Sequence, residues 1–269
     1  MDTIRPNRVR ELLKQGKISY GIACFTNHPA LVEIIGWAGF DYVWIDTEHS
    51  PTDVGTTLAS IRACEFTGMT PIVRVYENNP HLICKALDNG ARGILVPHIC
   101  TATDAEAVVR AVKFPPFGDR SACPLTRSNR FGLLGLSSLR EYYQKYNEDT
   151  LVLLLIEDLE GIKNLPEILK VKGVDIIFLG QGDLSHALGI PGENYDHPKL
   201  YGALKDVAKM CTAAGVSVMT STSSSSPSDA SYAYTKKLVD AGVRVLYLTS
   251  DLSLFGRASR ELIKIRESL

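Results

Sequence analysis

Two acidic residues end apolar runs where a buried strand has no local use for charge. "LVLLLIED" (151–158) stops on Glu157, and "VDIIFLGQGDLS" (174–185) delivers Asp183 just beyond its apolar core. An unpartnered carboxylate at the edge of a core is costly, so each acid implies something that takes its charge. If the two runs are neighbouring parallel strands, about 4.8 Å apart, the acids can share one cation. Two carboxylates with open positions suit a hard divalent ion, Mg²⁺ or Mn²⁺ before Co²⁺ or Zn²⁺, completed by water and a chelating substrate. The plainer alternative is that each acid caps a helix or pairs with an arginine.

Other strand ends carry comparable groups. "YVWIDTEH" closes on Asp46, Glu48 and His49, "TPIVRVY" holds Arg74, and further runs finish near His98, at Gln181 and at Asp251. Arg74, flanked by strand residues, needs acidic partners if buried. Beside a metal it would donate hydrogen bonds to an oxygen that becomes negative. His49 is a candidate for proton transfer, or a loop histidine without a task. The glycines of "GQGDLS" let backbone N–H groups approach an anion such as a substrate carboxylate. Asp88, near the end of a helical stretch, reads by pattern alone as a surface acid. No apolar run contains a lysine, so no Schiff base is available at a strand end, and "TSTSSSS" has no paired base for serine hydrolysis.

The positioning elements follow from rhythm. Eight short runs, beginning at Ser19, Tyr42, Thr70, Arg92, Thr150, Val174, Val216 and Arg244, alternate with amphipathic stretches. Their continuous apolarity suits parallel strands covered on both faces. "HPALVEIIGWAG" and "NPHLICKALDNG" place Pro in the first helical turn and Gly at the end, and "TATDAEAVVRAVKF" opens on N-cap residues. Eight units predict one α/β domain over 1–269, a closed (β/α)8 barrel, with an open doubly wound sheet as the alternative. Such a barrel gathers its strand C-termini at one mouth. Two stretches break the rhythm: a connection over 114–137 with three prolines and three arginines, and "TSTSSSSPSD" (220–229).

With 269 residues, 45% apolar and 22% charged, the chain has material for one such barrel. A net charge of −1 gives no electrostatic reason for nucleic acid or anionic lipid. No apolar stretch approaches the ~18 residues of a membrane span. "MDTIRPNRVRELLKQGK" reads as a charged amphipathic helix, not a signal peptide. The six scattered cysteines fit reduced cytoplasmic thiols, mostly filling core.

The ordered segments "FDYVWIDTEHSP", "PIVRVYENNPHLICKALDNGARGILVPHI", "VKFPPFGDRS", "LIEDLEGIKNL" and "GVDIIFLGQGDLSHALG" resemble the HpcH/HpaI family of metal-dependent class II aldolases, which act on pyruvate and related 2-oxo acids. The resemblance implies that Glu157 and Asp183 ligate the metal and that Arg74 contacts the pyruvyl keto oxygen. It implies that His49 and Asp88 form the proton-handling dyad and that the Gly182 amide holds the pyruvyl carboxylate. It further implies a hexamer, a trimer of dimers that exchanges its last helix, here 253–269. The function this implies is reversible cleavage of a 4-hydroxy-2-oxo acid to pyruvate, or a related 2-oxo acid, and an aldehyde through an enolate. Glu48 and Gln181 become supporting residues, and Arg120 or Arg127 selects the far end of the acceptor. Leu155 stands where the family commonly has Gln, Ser121 replaces a loop Gly, and Gln181-Gly182 replaces Pro-Ala. Those departures keep open a family alternative in which the same enolate, derived from oxaloacetate, condenses with another acceptor, as in citrate-synthase-like or macrophomate-synthase-like reactions. A non-catalytic 2-oxo acid sensor and a phosphate-binding barrel are the rivals outside that chemistry.

Overall fold

A computed structural model describes residues 6–133, 139–222 and 229–268. The eight apolar runs form eight parallel strands: β1 (Ser19–Cys24), β2 (Tyr42–Asp46), β3 (Thr70–Arg74), β4 (Gly93–Val96), β5 (Leu151–Ile156), β6 (Ile176–Leu179), β7 (Ser217–Ser221) and β8 (Val245–Ser250). Each pairs with its neighbour in chain order, and Gly21 of β1 is in register with both Tyr42 of β2 and Tyr247 of β8. The sheet is therefore a closed barrel, and the open sheet is excluded.

Both faces of the strands are buried, which explains why the runs read as continuous. Leu153 and Leu155 face the barrel interior with Trp44, Ile72 and Phe178. Val152, Leu154 and Ile156 face the surrounding helices. Those helices are α1 (Arg8–Lys14), α2 (Pro29–Trp37), α3 (Val54–Thr67), α4 (Pro80–Asp88), α5 (Ala102–Val112), α6 (Leu139–Asp149), α7 (Leu159–Ile168), α8 (Gln181–Ala187), α9 (Pro198–Ala213), α10 (Asp229–Asp240) and α11 (Asp251–Ile263). None of the described helices is long and apolar enough to cross a membrane.

Local chemistry sets the helix starts. Proline follows the His28 and Asn79 caps, and Thr101 and Asp104 form a reciprocal capping box on α5. Of the N-terminal segment expected to be an amphipathic helix, Arg8–Lys14 forms α1 and closes the base of the barrel, while residues 1–5 lie outside the described residues. Val9 of α1 is fully buried in the interior cluster. The Asn7 side chain donates to the carbonyls of Arg92 (2.9 Å) and Asp149 (3.0 Å).

Of the long connection, Phe114 packs against Tyr142, Tyr143 and Tyr146 of α6, a helix the pattern had not singled out. A 3₁₀ segment, Arg127–Gly132, follows within it. Most of "TSTSSSSPSD", residues 223–228, lies outside the described residues, while its first two residues finish β7. The last helix starts at Asp251, two residues before the expected point, because the Ser250 hydroxyl accepts from the Ser253 N–H and caps it. Of the six cysteines, Cys24, Cys64 and Cys211 are core fillers; Cys84 and Cys100 are half-buried and Cys123 is exposed.

Candidate active site

Arg74 and Asp46 end β3 and β2 and are register partners, so their side chains meet at the strand C-termini. The Arg74 Nε–H donates to Asp46 Oδ2 at 2.5 Å, and Nη1 lies 2.8 Å from Glu48 Oε2. The guanidinium stacks 4.4 Å over the Trp44 ring, which rises from the barrel interior. Asp46 Oδ1 accepts from the N–H groups of Glu48 (3.1 Å) and His49 (2.7 Å), so this buried acid both holds the arginine and shapes the following turn. Arg74 thus has the structural ion pair considered from sequence. Its five N–H donors are not exhausted by these partners.

Glu157 follows β5 directly and is almost completely buried. Asp183 sits in the first turn of α8, just past β6. Burial pushes the Glu157 carboxyl up to about 7; the backbone N–H and charge of His98 oppose that rise, and a side-chain hydrogen bond and charge from Asp183 add to it. The two acids therefore do converge. Gly180 makes room for them, since a Cβ there would lie 2.8 Å from Glu157 Cβ and 3.1 Å from its Oε2.

Among the described residues no group of three or more His, Cys, Asp or Glu side chains is arranged to hold a metal. The donor set is a pair of neighbouring carboxylates, Glu157 buried and Asp183 exposed. Such a pair needs either a shared proton or a cation, and its oxygen donors fit a hard divalent ion whose other positions are filled from outside the protein. The space around Gly182 is open, with nothing within 4 Å of a Cβ placed there. Its preceding cap residue, Gly180, offers no side-chain acceptor to the first-turn amides of α8.

His98 was noted in the sequence only as a strand end. It occupies the gap between these two groups. Its backbone is left-handed, with φ of 56°. Its N–H donates to Glu157 Oε1 at 3.1 Å and its Nδ1 lies 2.9 Å from the same oxygen. Nε2 lies 3.5 Å from Glu48 Oε1. The only signal available beforehand was a histidine directly after the β4 run.

Several expected site residues sit elsewhere. His49 is at the mouth, largely exposed, with Nε2 3.6 Å from Glu48 Oε2. Asp88 is the last residue of α4, and a helix that returns antiparallel to its strand ends at the base. Within one chain the structure does not bring His49 and Asp88 together. Asp88 instead accepts from Arg120 Nη2 at 2.8 Å. Arg120, expected to reach an acceptor, is buried at the base and stacks 4.4 Å over Phe114 and 5.1 Å over Tyr146. Arg127, the other arginine considered there, is paired with Glu65.

The Gln181 amide faces away from the mouth. It donates to Tyr234 Oη at 3.0 Å and accepts from Thr220 Oγ1 at 2.9 Å, which makes it a brace between α8, β7 and α10. Asp251 accepts from the N–H groups of Phe25 and Thr26 and from the Thr26 hydroxyl. Burial would raise its carboxyl, but these bonds outweigh burial and hold it below the usual range. Leu155, where the family resemblance implied a Gln, points into the apolar barrel interior beside Phe178.

A closed barrel whose strand ends carry paired acids and an arginine at one mouth is an enzyme scaffold, here of the carbon–carbon lyase class. The chain belongs to the HpcH/HpaI aldolase/citrate lyase family, whose profile matches residues 22–245. It is 37% identical over 200 residues to a pyruvate aldolase of Rhizobium etli, covering 74% of this chain and 76% of that protein. It is 30% identical to a 5-keto-4-deoxy-D-glucarate aldolase of Shigella boydii over 96% of this chain and 95% of the other. Among solved structures, the citrate synthase SbnG superposes with a TM-score of 0.82 at 30% identity, covering 96% of this chain and 97% of that one. Enzymes of the family act on small molecules and generally depend on a divalent metal.

Proposed function

We propose that this chain is a divalent-metal-dependent aldolase that reversibly cleaves a 4-hydroxy-2-oxo acid into pyruvate, or a related 2-oxo acid, and an aldehyde. The observation that carries this reading is the meeting of Glu157 and Asp183 at a mouth that also presents Arg74. Glu157 and Asp183 would hold the ion, Mg²⁺ or Mn²⁺ by the hardness of their oxygens, with Co²⁺ or Zn²⁺ as weaker alternatives. When bound, it supplies Lewis-acid polarisation of the substrate carbonyl.

The chain's own residues do the rest. Arg74, held in one orientation by Asp46 and Glu48, directs its remaining N–H donors at the keto oxygen as that oxygen becomes negative. The open backbone at Gly182 accommodates the substrate carboxylate against the first amides of α8. His49 moves the proton to or from the aldol hydroxyl. Its proposed pairing with Asp88 requires a neighbouring subunit, because one chain places the two at opposite ends. A homo-hexamer with exchanged last helices is the assembly we infer. The support is α11, which leaves Leu252, Phe255 and Leu262 largely exposed.

The test is exchange of the pyruvate methyl protons into D₂O with added Mn²⁺. Exchange that requires the metal and disappears in Glu157→Ala and Arg74→Ala is the expected result. Metal-dependent exchange that survives Glu157→Ala would reject the ligand assignment, and tight 2-oxo acid binding without exchange would favour a sensor.

The alternative, in which the enolate condenses with a different acceptor, is favoured by the likeness to a citrate synthase and by Leu155, which offers no polar group at the mouth. Products formed from pyruvate plus aldehydes, compared with those from oxaloacetate plus acyl donors, separate the two.

A further inference from the structure

Five successive strand ends contribute to one chain of contacts across the mouth. Asp46 of β2 holds Arg74 of β3; Arg74 meets Glu48; Glu48 faces His98 beyond β4; His98 meets Glu157 beyond β5; and Glu157 meets Asp183 beyond β6. His98 is the link between the arginine half and the paired-acid half. We propose that His98 is a positioning residue: it fixes the Glu157 carboxylate in the orientation that a cation needs, and ties that carboxylate to the Glu48–Arg74 pair.

Three independent features support this. First, Glu157 Oε1 has two nitrogens of His98 within reach, the backbone N at 3.1 Å and Nδ1 at 2.9 Å. The backbone N–H donates the hydrogen bond and the ring nitrogen sits close beside it, which favours one orientation of the carboxylate and leaves its other oxygen free. Second, the grip depends on a left-handed backbone at a non-glycine residue, φ of 56°. That conformation is strained for most side chains and persists where surrounding structure enforces it, commonly at functional sites. In an ordinary β conformation the N–H and the ring would point in different directions. Third, the ring is 67% exposed although both acids it approaches are below 10%. Packing does not account for an exposed ring there; the two carboxylates are the charged groups within its reach. Outer residues that orient a ligating carboxylate typically change metal affinity when removed.

The proposal rests on the metal reading of Glu157 and Asp183, and the experiment keeps the two apart. Mn²⁺ dissociation constants are measured on the full-length protein by the electron paramagnetic resonance signal of free Mn²⁺, with no substrate present. His98→Gly keeps the left-handed turn and the backbone N–H without strain but removes the ring. It is expected to weaken Mn²⁺ binding roughly tenfold to a hundredfold. His98→Asn also tolerates the turn, and its amide nitrogen occupies the place of Nδ1, so it should restore most of the affinity. A purely structural histidine would show no such rescue. Unchanged Mn²⁺ affinity in His98→Gly, or an Asn variant as weak as Gly, would overturn the positioning role and leave the metal pair standing. Wild-type protein that fails to bind Mn²⁺, or binds it equally well as Glu157→Gln, would overturn the metal pair and this proposal with it.

Discussion

The two ends of the barrel use the same residue types to opposite effect. At the base five acids are each paired with a guanidinium: Asp41 with Arg8, Glu65 with Arg127, Asp88 with Arg120, Asp149 with Arg92 and Asp175 with Arg10. A cavity of about 530 Å³ also opens there, lined by Arg62, Arg92, Arg127 and Arg130 among others, and it touches none of the residues of the mouth. At the mouth Asp46, Glu48, Glu157 and Asp183 converge, and among the described residues their only strong cation is Arg74. Matched pairs hold elements in place and ask for nothing more. Surplus negative charge around the buried Asp46 and Glu157 is a standing cost that a bound cation removes. The size of a cavity is therefore a poorer guide here than the balance of charge around it.

Substitutions at the two ends should separate along this line. The largest effect is expected from Glu157→Gln or Asp183→Asn. Either should lower metal-dependent exchange of pyruvate protons by at least ~10³-fold, several kcal/mol of lost charge stabilisation. Thermal stability of the metal-free protein should hold or rise, because a repulsion has been relieved. A large fall in melting temperature with exchange intact would show that these acids belong with the base pairs.

Next comes Arg74→Gln, which should lower exchange by ~10²–10³-fold, as expected for loss of one donor to a developing oxyanion. It also strands the fully buried Asp46, at a cost of about 3–5 kcal/mol. Adding Asp46→Asn should recover much of that stability and none of the exchange; recovery of both would make Arg74 structural only. At the base, Arg92→Met should cost ~2 kcal/mol by leaving Asp149 without its charged donor, while exchange per folded molecule stays at the wild-type value. Loss of exchange in a fully folded Arg92→Met protein would blur the distinction between the two ends.

Why the mouth was more legible than the base follows from how each is built. Strand C-termini converge in any such barrel, so Glu157, Asp183, Arg74 and Asp46 could be placed together from strand order alone. Asp88 and Arg120 are a pair made by a helix end and a loop, and nothing in their spacing says that the loop folds beneath the barrel. Arg120 was thus expected at the acceptor, whereas aromatic stacking on Phe114 and Tyr146 draws it to the base. Gln181 opens α8 with one residue, Gly180, between it and the end of β6, but its amide turns toward Thr220 and Tyr234, partners distant in sequence. His98 was hidden for another reason: its role depends on a positive φ, which a histidine in "VPHI" does not announce.

The smallest effect is a pH dependence, and its sign tests the charge imbalance directly. Glu157 has an ordinary value of 4.5 and is held at about 7 in the metal-free fold, first by burial and further by Asp183. Below about 4.5 the carboxyl is protonated in both folded and unfolded chains, and its favourable contribution to the fold is fully present. As pH rises the unfolded chain releases the proton first, so the contribution drains away until the folded group has also ionised, above about 7. Metal-free wild-type protein should therefore lose more melting temperature between about pH 5.5 and 8.5 than Glu157→Gln, in which this group cannot titrate. Mn²⁺ binds the ionised pair, so the rise in melting temperature it produces should be greater at the higher pH, and absent from the variant. Equal pH slopes in the two proteins would mean that Glu157 is already compensated within the fold. The mouth would then be as balanced as the base, and the case for a cation there would be lost.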